Sequence, residues 1–190
     1  MDKIRAFLAA PISDEVRDYL EKIILKMKRK SIDWRWVNYE NLHITLKFLG
    51  YCDNEQILDV QRTISKYTKN IQSFSYELSG LGAFPNERGA RVLWAGIKDE
   101  EKNFIKIYKL LERNLAKRGF EKERRSYSPH ITIARSKKRQ NISNLLLELN
   151  LEKFGNIPVQ INDRITLYKS VLSSQGASYY IIKEFIFQNK

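Results

Sequence analysis

The chain has little of several residue types, and each shortage narrows what the protein can be. Its 190 residues include one cysteine, Cys52, which excludes an intramolecular disulfide and leaves too few soft ligands for a structural zinc site. No apolar run approaches the length that spans a bilayer, and the N-terminal apolar run is too short and polar for a signal peptide. No linker rich in Pro, Gly or Ser divides the chain. We therefore expect one cytoplasmic domain over residues 1–190, either a single compact body or two small lobes around a shared cleft, that does not contact a membrane.

Acidic residues are scarce relative to basic ones, and the imbalance is local. The chain has 34 Lys and Arg against 22 Asp and Glu, which gives a formal charge of +12. The segment 117–139 contains nine basic and two acidic residues and surrounds His130. A basic field beside a reaction centre attracts phosphate esters or nucleic acid, whereas most charged runs are only solvated surface.

The only two histidines, His43 and His130, each begin a similar tetrapeptide, HITL at 43–46 and HITI at 130–133. With five threonines in the chain, a Thr two places after both histidines would arise by chance in below about one case in a thousand. In a strand, residues i and i+2 lie on the same face, so each motif presents an imidazole beside a hydroxyl while the Ile points to the core. We predict one active site built from two halves.

Hydrophobic periodicity predicts strands and helices in an α+β order with approximate internal repetition. The predicted strands are 3–10, 42–49, 74–84, 91–97, 131–134, 159–168 and 177–187, with a turn at 173–176. The predicted helices run from the Ser13 cap to about residue 29, from the Asp53 cap to about residue 69, from Asp99 to Gly119, and over 143–149. In the first histidine strand, alternation places His43, Thr45 and Lys47 on one face, and Gly50 is expected to end the strand.

Two imidazoles can act together as acid and base near neutral pH. At phosphorus, one would deprotonate water and the other would protonate the leaving oxygen, each step contributing about 10²–10⁴-fold. The hydroxyls of Thr45 and Thr132 could donate to the non-bridging oxygens. The guanidinium of Arg135 could hold a phosphate in bidentate fashion. Because residue i+5 of a regular strand lies on the opposite face, Arg135 reaches the site only if the chain bends or bulges after Ala134.

Other catalytic classes fit the sequence less well. Metal hydrolysis usually needs three or more His or carboxylate ligands, and neither tetrapeptide contains a carboxylate, so we expect no metal and no cofactor. A Ser-His-Asp triad uses one histidine, and a Gly-rich phosphate loop is missing. Cys52 is better explained as a small apolar residue than as a nucleophile. Among the aromatic residues, Tyr127 and Phe84 are the candidates for stacking on a base.

Longer segments carry a resemblance to a known family. They are RAFLAAP at 5–11, NLHITLKFLG at 41–50, RVLWAG at 91–96, SPHITIAR at 128–135, and the C-terminal segments 168–170 and 176–179. With these the chain resembles the RNA 2',3'-cyclic phosphodiesterases, also called 2'-5' RNA ligases, of the two-histidine phosphoesterase superfamily. One departure is Tyr127, where that family more often has Phe.

The resemblance implies a bilobal α+β fold with pseudo-twofold symmetry, in which antiparallel sheets line a central cleft and helices pack outside. It implies metal-independent opening of an RNA-terminal or nucleoside 2',3'-cyclic phosphate to a 2'-phosphate. By position, His43 matches the proton donor to the 3'-oxygen, and His130 matches the base that activates water. The hydroxyl groups that contact the phosphate in that family correspond to those of Thr45 and Thr132. The arginine that follows the family's second motif corresponds to Arg135.

Two other functions stay open on the sequence. A cyclising endoribonuclease would use the same two imidazoles to cut internal phosphodiesters by 2'-hydroxyl attack. An RNA-binding or 2'-5' ligating factor would use the basic segment 117–139, and the same site could support weak ligation as the reverse reaction. We expect the partner to be RNA with 2',3'-cyclic phosphate ends or cyclic nucleotides, and nothing in the sequence requires more than a monomer.

Overall fold

The computed structural model describes residues 3–29, 34–151, 159–174 and 176–188. The helices in these ranges are α1 Asp14–Lys28, α2 Asn54–Thr68, α3 Asn103–Ala116 and α4 Ser143–Leu151. The strands are β1 Ile4–Pro11, β2 Arg35–Trp36, β3 His43–Cys52, β4 Phe74–Phe84, β5 Ala90–Lys98, β6 His130–Gln140, β7 Gln160–Asn162, β8 Arg164–Ser173 and β9 Gly176–Ile186. None of the helices in the described part of the chain is both long and apolar enough to cross a membrane.

The helices begin at the polar residues that the sequence marks as caps. The Ser13 hydroxyl accepts a hydrogen bond from the Val16 amide, and Asp53 forms a reciprocal capping box with Gln56. The Asp99 prediction was four residues too early, because α3 begins at Asn103. The Asp99 carboxylate nevertheless accepts a hydrogen bond from the amide of Phe104 at 2.8 Å, in the first turn of α3.

The strands form one curled sheet in the order β7-β4-β5-β6-β3-β1-β8-β9, with β2 paired to β6. The two histidine strands are direct antiparallel neighbours at the centre, joined by the pair Ile44–Ile131. Each is flanked by the strand that precedes the helix before it, β1 beside β3 and β5 beside β6. The repeated order strand, helix, histidine strand, helix confirms the predicted α+β fold with approximate twofold symmetry.

The apolar sides of the helices and the outer side of the sheet share a continuous core. Its largest fully buried side chains include Leu20 of α1, Phe104 and Leu111 of α3, and the motif residues Ile44 and Ile131. The intervening Ile of each motif therefore points away from the histidines, as predicted. Burying such a side chain stabilises the fold by about 1.5–3 kcal/mol, so each motif strand is held in place by its core face.

Both histidine strands contain a β-bulge one residue after the motif threonine. In β3 the pairs Ala9–Thr45 and Leu8–Lys47 leave Leu46 without a partner on β1. In β6 the pairs Trp94–Thr132 and Leu93–Ala134 leave Ile133 without a partner on β5. One extra residue reverses the side-chain alternation that follows it. The two bulges thus decide which later residues face the histidines.

Two predictions for β3 are wrong, and the bulge explains the first. Lys47 was expected on the face of His43, but it is buried in the core with 5% exposure. Gly50 was expected to end the strand, yet β3 continues through it to Cys52, with a backbone φ of +76° at Gly50 that glycine adopts without strain.

Some predicted boundaries also differ from the observed ones. The strand predicted at 131–134 runs on to Gln140. The strand predicted at 159–168 is divided into β7, which pairs with β4, and β8, which pairs with β1 and β9. The third helix ends at Ala116 rather than Gly119, although Gly119 does have the left-handed φ of +85° that was expected of it. Within the predicted turn 173–176, Gln175 lies outside the described residues.

Candidate active site

The His43 ring is held by two hydrogen bonds that define its tautomer. Its Nδ1 lies 2.7 Å from the carbonyl oxygen of Asn41, and its Nε2 lies 2.9 Å from the Thr45 hydroxyl. A carbonyl oxygen can only accept, so Nδ1 carries the proton. In the neutral ring, Nε2 is then an acceptor, and the Thr45 hydroxyl donates to it. The Asn41 side chain in turn donates to the carbonyl of Ala177 at 2.6 Å, which fixes this segment against β9.

His130 repeats this arrangement in the other half of the chain. Its Nδ1 lies 2.7 Å from the carbonyl oxygen of Ser128, again two residues before the histidine. The same reasoning assigns the proton to Nδ1 and leaves Nε2 as the reactive nitrogen. The two imidazoles are therefore oriented by equivalent backbone contacts.

The register of the two strands brings the motifs together. Continuing the Ile44–Ile131 pairing by one residue in each direction places His43 opposite Thr132 and Thr45 opposite His130. Residues opposite each other on an antiparallel pair have Cβ atoms about 4.5–5.5 Å apart. Two imidazoles and two hydroxyls thus form one cluster on the sheet face away from Ile44 and Ile131.

Arg135 joins this cluster because of the bulge in β6. The bend that its position requires is present at Ile133, one residue earlier than the sequence argument placed it. The Arg135 Nη2 lies 3.5 Å from the Thr132 hydroxyl oxygen, a long contact in which Arg135 donates. The pKa of Arg135 is lowered by partial burial and by the charge of Arg5, so a second guanidinium also acts on this face.

Aromatic rings lie against both histidines, whose side chains are half-buried. Ring centroids of Phe7 and Tyr179 lie 5.0 and 5.4 Å from that of His43, and those of Phe84 and Trp94 lie 5.1 and 6.3 Å from that of His130. The rings of Phe7, Trp94 and Tyr179 were not expected at the site, since they come from strands distant in sequence from the motifs. Only their pairing in the sheet reveals them. Phe84 had been a candidate for stacking on a base, and its position puts it edge-on against His130.

Burial favours the neutral form of both imidazoles in the free protein. Burial lowers the pKa of His43 to about 4, with further lowering by the charges of Arg135 and His130, against an opposing effect of the Asn41 hydrogen bond. Burial is also the main cause that lowers the pKa of His130, followed by the Ser128 hydrogen bond, which raises it, and by Arg135, which lowers it. A bound anion would reverse part of this effect, because it stabilises the imidazolium.

Tyr127 lies behind the histidine strand and supports it. Its ring stacks on that of Tyr108 with centroids 4.3 Å apart and planes 5° from parallel. Its hydroxyl donates to the backbone carbonyl of Thr45 at 3.1 Å. Burial of this hydroxyl raises the pKa of Tyr127. One face of the ring is thus covered, and the observed contacts position Thr45. Contact of Tyr127 with a substrate base stays a prediction.

The site contains no cluster typical of a metal centre. Across the described ranges, no three His, Cys, Asp or Glu side chains are grouped so that they could hold an ion. The polar groups that converge are two imidazoles, two hydroxyls and a guanidinium. Such a set can bind an anion, supply a general base and supply a general acid.

Comparison with known proteins agrees with this geometry. The pattern of the family described as LigT like Phosphoesterase matches residues 10–94 and 97–179. A Methanocaldococcus jannaschii protein named RNA 2',3'-cyclic phosphodiesterase is 36% identical over 184 residues, covering 95% of this chain and 99% of its own. A Thermotoga maritima protein of the same name is 31% identical over 185 residues, covering 97% and 96%.

Solved structures show the same fold at lower sequence identity. A Thermus thermophilus protein superposes with a TM-score of 0.79 at 24% identity, with 98% of this chain and 99% of that chain covered. Escherichia coli LigT in complex with 3'-AMP superposes with a TM-score of 0.74 at 21% identity, with 99% of both chains covered. Since the family pattern covers most of the sequence and its relatives align over nearly their full length, the chain belongs to the LigT-like phosphoesterase family.

Proposed function

We propose that this protein hydrolyses 2',3'-cyclic phosphates at RNA ends or on nucleosides to 2'-phosphates, without a metal ion, by paired histidine catalysis. The observation that carries the proposal is the equivalent orientation of His43 and His130 on neighbouring strands. Each donates from Nδ1 to a backbone carbonyl, which leaves Nε2 as the nitrogen that exchanges a proton; in the free protein, Nε2 of His43 accepts from Thr45. The names of the relatives, RNA 2',3'-cyclic phosphodiesterase, support the choice of substrate.

The reaction starts with one imidazole neutral and the other protonated. His130 Nε2 takes a proton from water while the water oxygen forms a bond to phosphorus. The bond from phosphorus to the 3'-oxygen breaks, and His43 Nε2 donates its proton to that oxygen, which leaves a 2'-phosphate. His130 then loses its proton to solvent and His43 regains one. Each proton transfer contributes about 10²–10⁴-fold in rate.

The remaining groups stabilise the charge on the non-bridging oxygens. Once Nε2 of His43 is protonated, it no longer accepts from Thr45, whose hydroxyl becomes free to donate to the phosphate. The Thr132 hydroxyl oxygen accepts a hydrogen bond from Arg135. The hydroxyl hydrogen of Thr132 can therefore also be donated to the phosphate. Arg135 adds a permanent positive charge and further N–H donors.

Substrate charge explains how a buried imidazole can act as an acid. His43 has a pKa of about 4 in the free protein, so it is neutral at pH 7. For half-protonation at pH 7 in the complex, the anion must raise this pKa by about three units, which is about 4 kcal/mol of coupling between proton and anion. A charge within hydrogen-bonding distance in a site sheltered from water supplies an effect of this size.

The proposal is tested by kinetics on adenosine 2',3'-cyclic phosphate. His43→Ala and His130→Ala should each reduce kcat/KM by at least about 10²-fold, with unchanged thermal unfolding and no effect of EDTA on the parent protein. Full activity in His130→Ala would exclude the paired mechanism. Intact RNA without a cyclic end serves as the second substrate, because internal cleavage would instead favour the endoribonuclease function.

A further inference from the structure

The shortest strand of the sheet places a second arginine beside the candidate site. Strand β2 consists of Arg35 and Trp36 alone, and it pairs antiparallel with β6 through Arg35–Arg135 and Trp36–Ala134. A backbone hydrogen bond of 2.8 Å from Val37 N to the carbonyl of Ile133 continues the pairing. The strand is therefore joined to β6 at the residue that forms the bulge.

Directly paired residues of an antiparallel sheet point to the same face. Trp36 is partly buried against the core, on the side of fully buried Ala134. Arg35 must then lie on the opposite face with Arg135, and both side chains reach solvent, although the Arg135 guanidinium is partly buried. The same bulge that turns Arg135 toward the histidines therefore gives it Arg35 as its immediate neighbour.

The placement of two arginines opposite each other on one face of the sheet opposes stability. Like charges directly opposite each other in a sheet are destabilising. Among the residues that the structure describes, no carboxylate forms an ion pair with Arg35 or Arg135. Arg5 adds a third positive charge, which lowers the pKa of Arg135. Uncompensated charge of one sign at this point is accounted for by an anion that binds there.

Arg35 is not needed to bind the phosphate that reacts at the histidines. A cyclic phosphodiester has two non-bridging oxygens, and Thr45, Thr132 and Arg135 already offer donors to both. Arg35 lies on the neighbouring strand β2, on the same face of the sheet as Arg135. In an RNA chain, the next anion is the phosphate on the 5' side of the terminal nucleoside. A nucleoside 2',3'-cyclic phosphate with a free 5'-hydroxyl has no such group.

We propose that Arg35 binds this adjacent phosphate, so that the site prefers cyclic ends of RNA to cyclic mononucleosides. The proposal rests on the proposed function and specifies its substrate class. Arg35 is a specificity residue in this account, since it contacts a phosphate that does not react. Hydrogen bonds to charged groups contribute enough to produce about a 10-fold preference.

The test compares three substrates that differ only on the 5' side: adenosine 2',3'-cyclic phosphate, the same compound with a 5'-phosphate, and the dinucleotide ApA with a 2',3'-cyclic end. Arg35→Gln should lower kcat/KM about 10-fold for the two substrates with the additional phosphate and less than about 2-fold for the first. For the dinucleotide, the slope of log kcat/KM against log salt should become shallower by about 0.7.

Arg113→Gln is the matched control, since Arg113 is an exposed arginine of α3 on the outer side of the sheet. It should leave all three rates unchanged. Arg35→Gln should unfold at the same temperature as the parent protein or higher, because the positive charge on the residue opposite Arg135 is removed.

Equal loss on all three substrates, no loss on any of them, or the same pattern in Arg113→Gln would each overturn the assignment of Arg35. A loss on the dinucleotide without a loss on the 5'-phosphorylated mononucleotide would also overturn it, because the second nucleoside would then be the group recognised. Failure of the parent protein to turn over any of the three substrates would instead contradict the proposed function.

Discussion

Glu112 of α3 connects the first histidine strand to the segment that leads into the second motif. Its Oε1 lies 2.5 Å from Lys47 Nζ, and its Oε2 accepts from the amide of Glu123 at 3.1 Å. Lys47 also donates to the carbonyl of Glu121 at 2.8 Å. The side chains of Lys47 and Glu112 are only 3% and 11% exposed. Glu112→Gln keeps the shape but removes the counter-charge of a buried ammonium, so the free energy of unfolding should fall by about 3–5 kcal/mol.

Urea denaturation of matched variants checks this magnitude. Asp14→Asn is the control, because Asp14 forms a similarly short ion pair with Arg17 at 2.6 Å but is 82% exposed. Its loss should stay below about 1 kcal/mol. The double variant Lys47→Met/Glu112→Leu should recover most of the loss, since removing both charges also removes their desolvation cost. If Glu112→Gln cost no more than Asp14→Asn, the reasoning about this buried pair would be refuted.

Three further predictions concern the candidate site. Proton NMR should give His43 a pKa near 4 in the free protein, and saturating inorganic phosphate should raise it, because an adjacent anion favours the imidazolium; an unchanged pKa would contradict anion binding at this ring. Because unfolding restores the ordinary pKa of 6.5, His43 binds protons preferentially in the unfolded chain. Stability should therefore fall by about 3 kcal/mol more in the parent protein than in His43→Asn as pH drops from 6.5 to 4. Thr45→Val and Thr132→Val should each lower kcat/KM about 10-fold by removing a donor, whereas Thr63→Val, the same change on the buried side of α2, should leave it unchanged.

The sequence predicted the features that depend on local chemistry. The caps at Ser13 and Asp53 are observed as expected, because capping involves only the next few residues. Alternation in the two motif strands correctly placed Ile44 and Ile131 in the core. Duplication of the histidine motif correctly indicated two equivalent halves, since related halves of a chain form equivalent elements of the sheet.

The features that the sequence did not reveal depend on pairing between strands. A bulge at Leu46 or Ile133 is a property of the register with β1 or β5, so alternation within one strand does not show it. A signal was present in the second motif, where two consecutive apolar residues, Ile133 and Ala134, precede Arg135. In the first motif Lys47 concealed the same signal, because a lysine at a core position is expected only with a buried partner such as Glu112.

Phosphorus NMR of adenosine 2',3'-cyclic phosphate incubated with the protein tests the central claim most directly, because it reports both turnover and which ester bond breaks. Protonation of the 3'-oxygen by His43 predicts a single new signal, that of the 2'-phosphate, and its disappearance in both His43→Ala and His130→Ala. A 3'-phosphate, a mixture of the two isomers, or product formation that survives loss of either histidine would contradict the account.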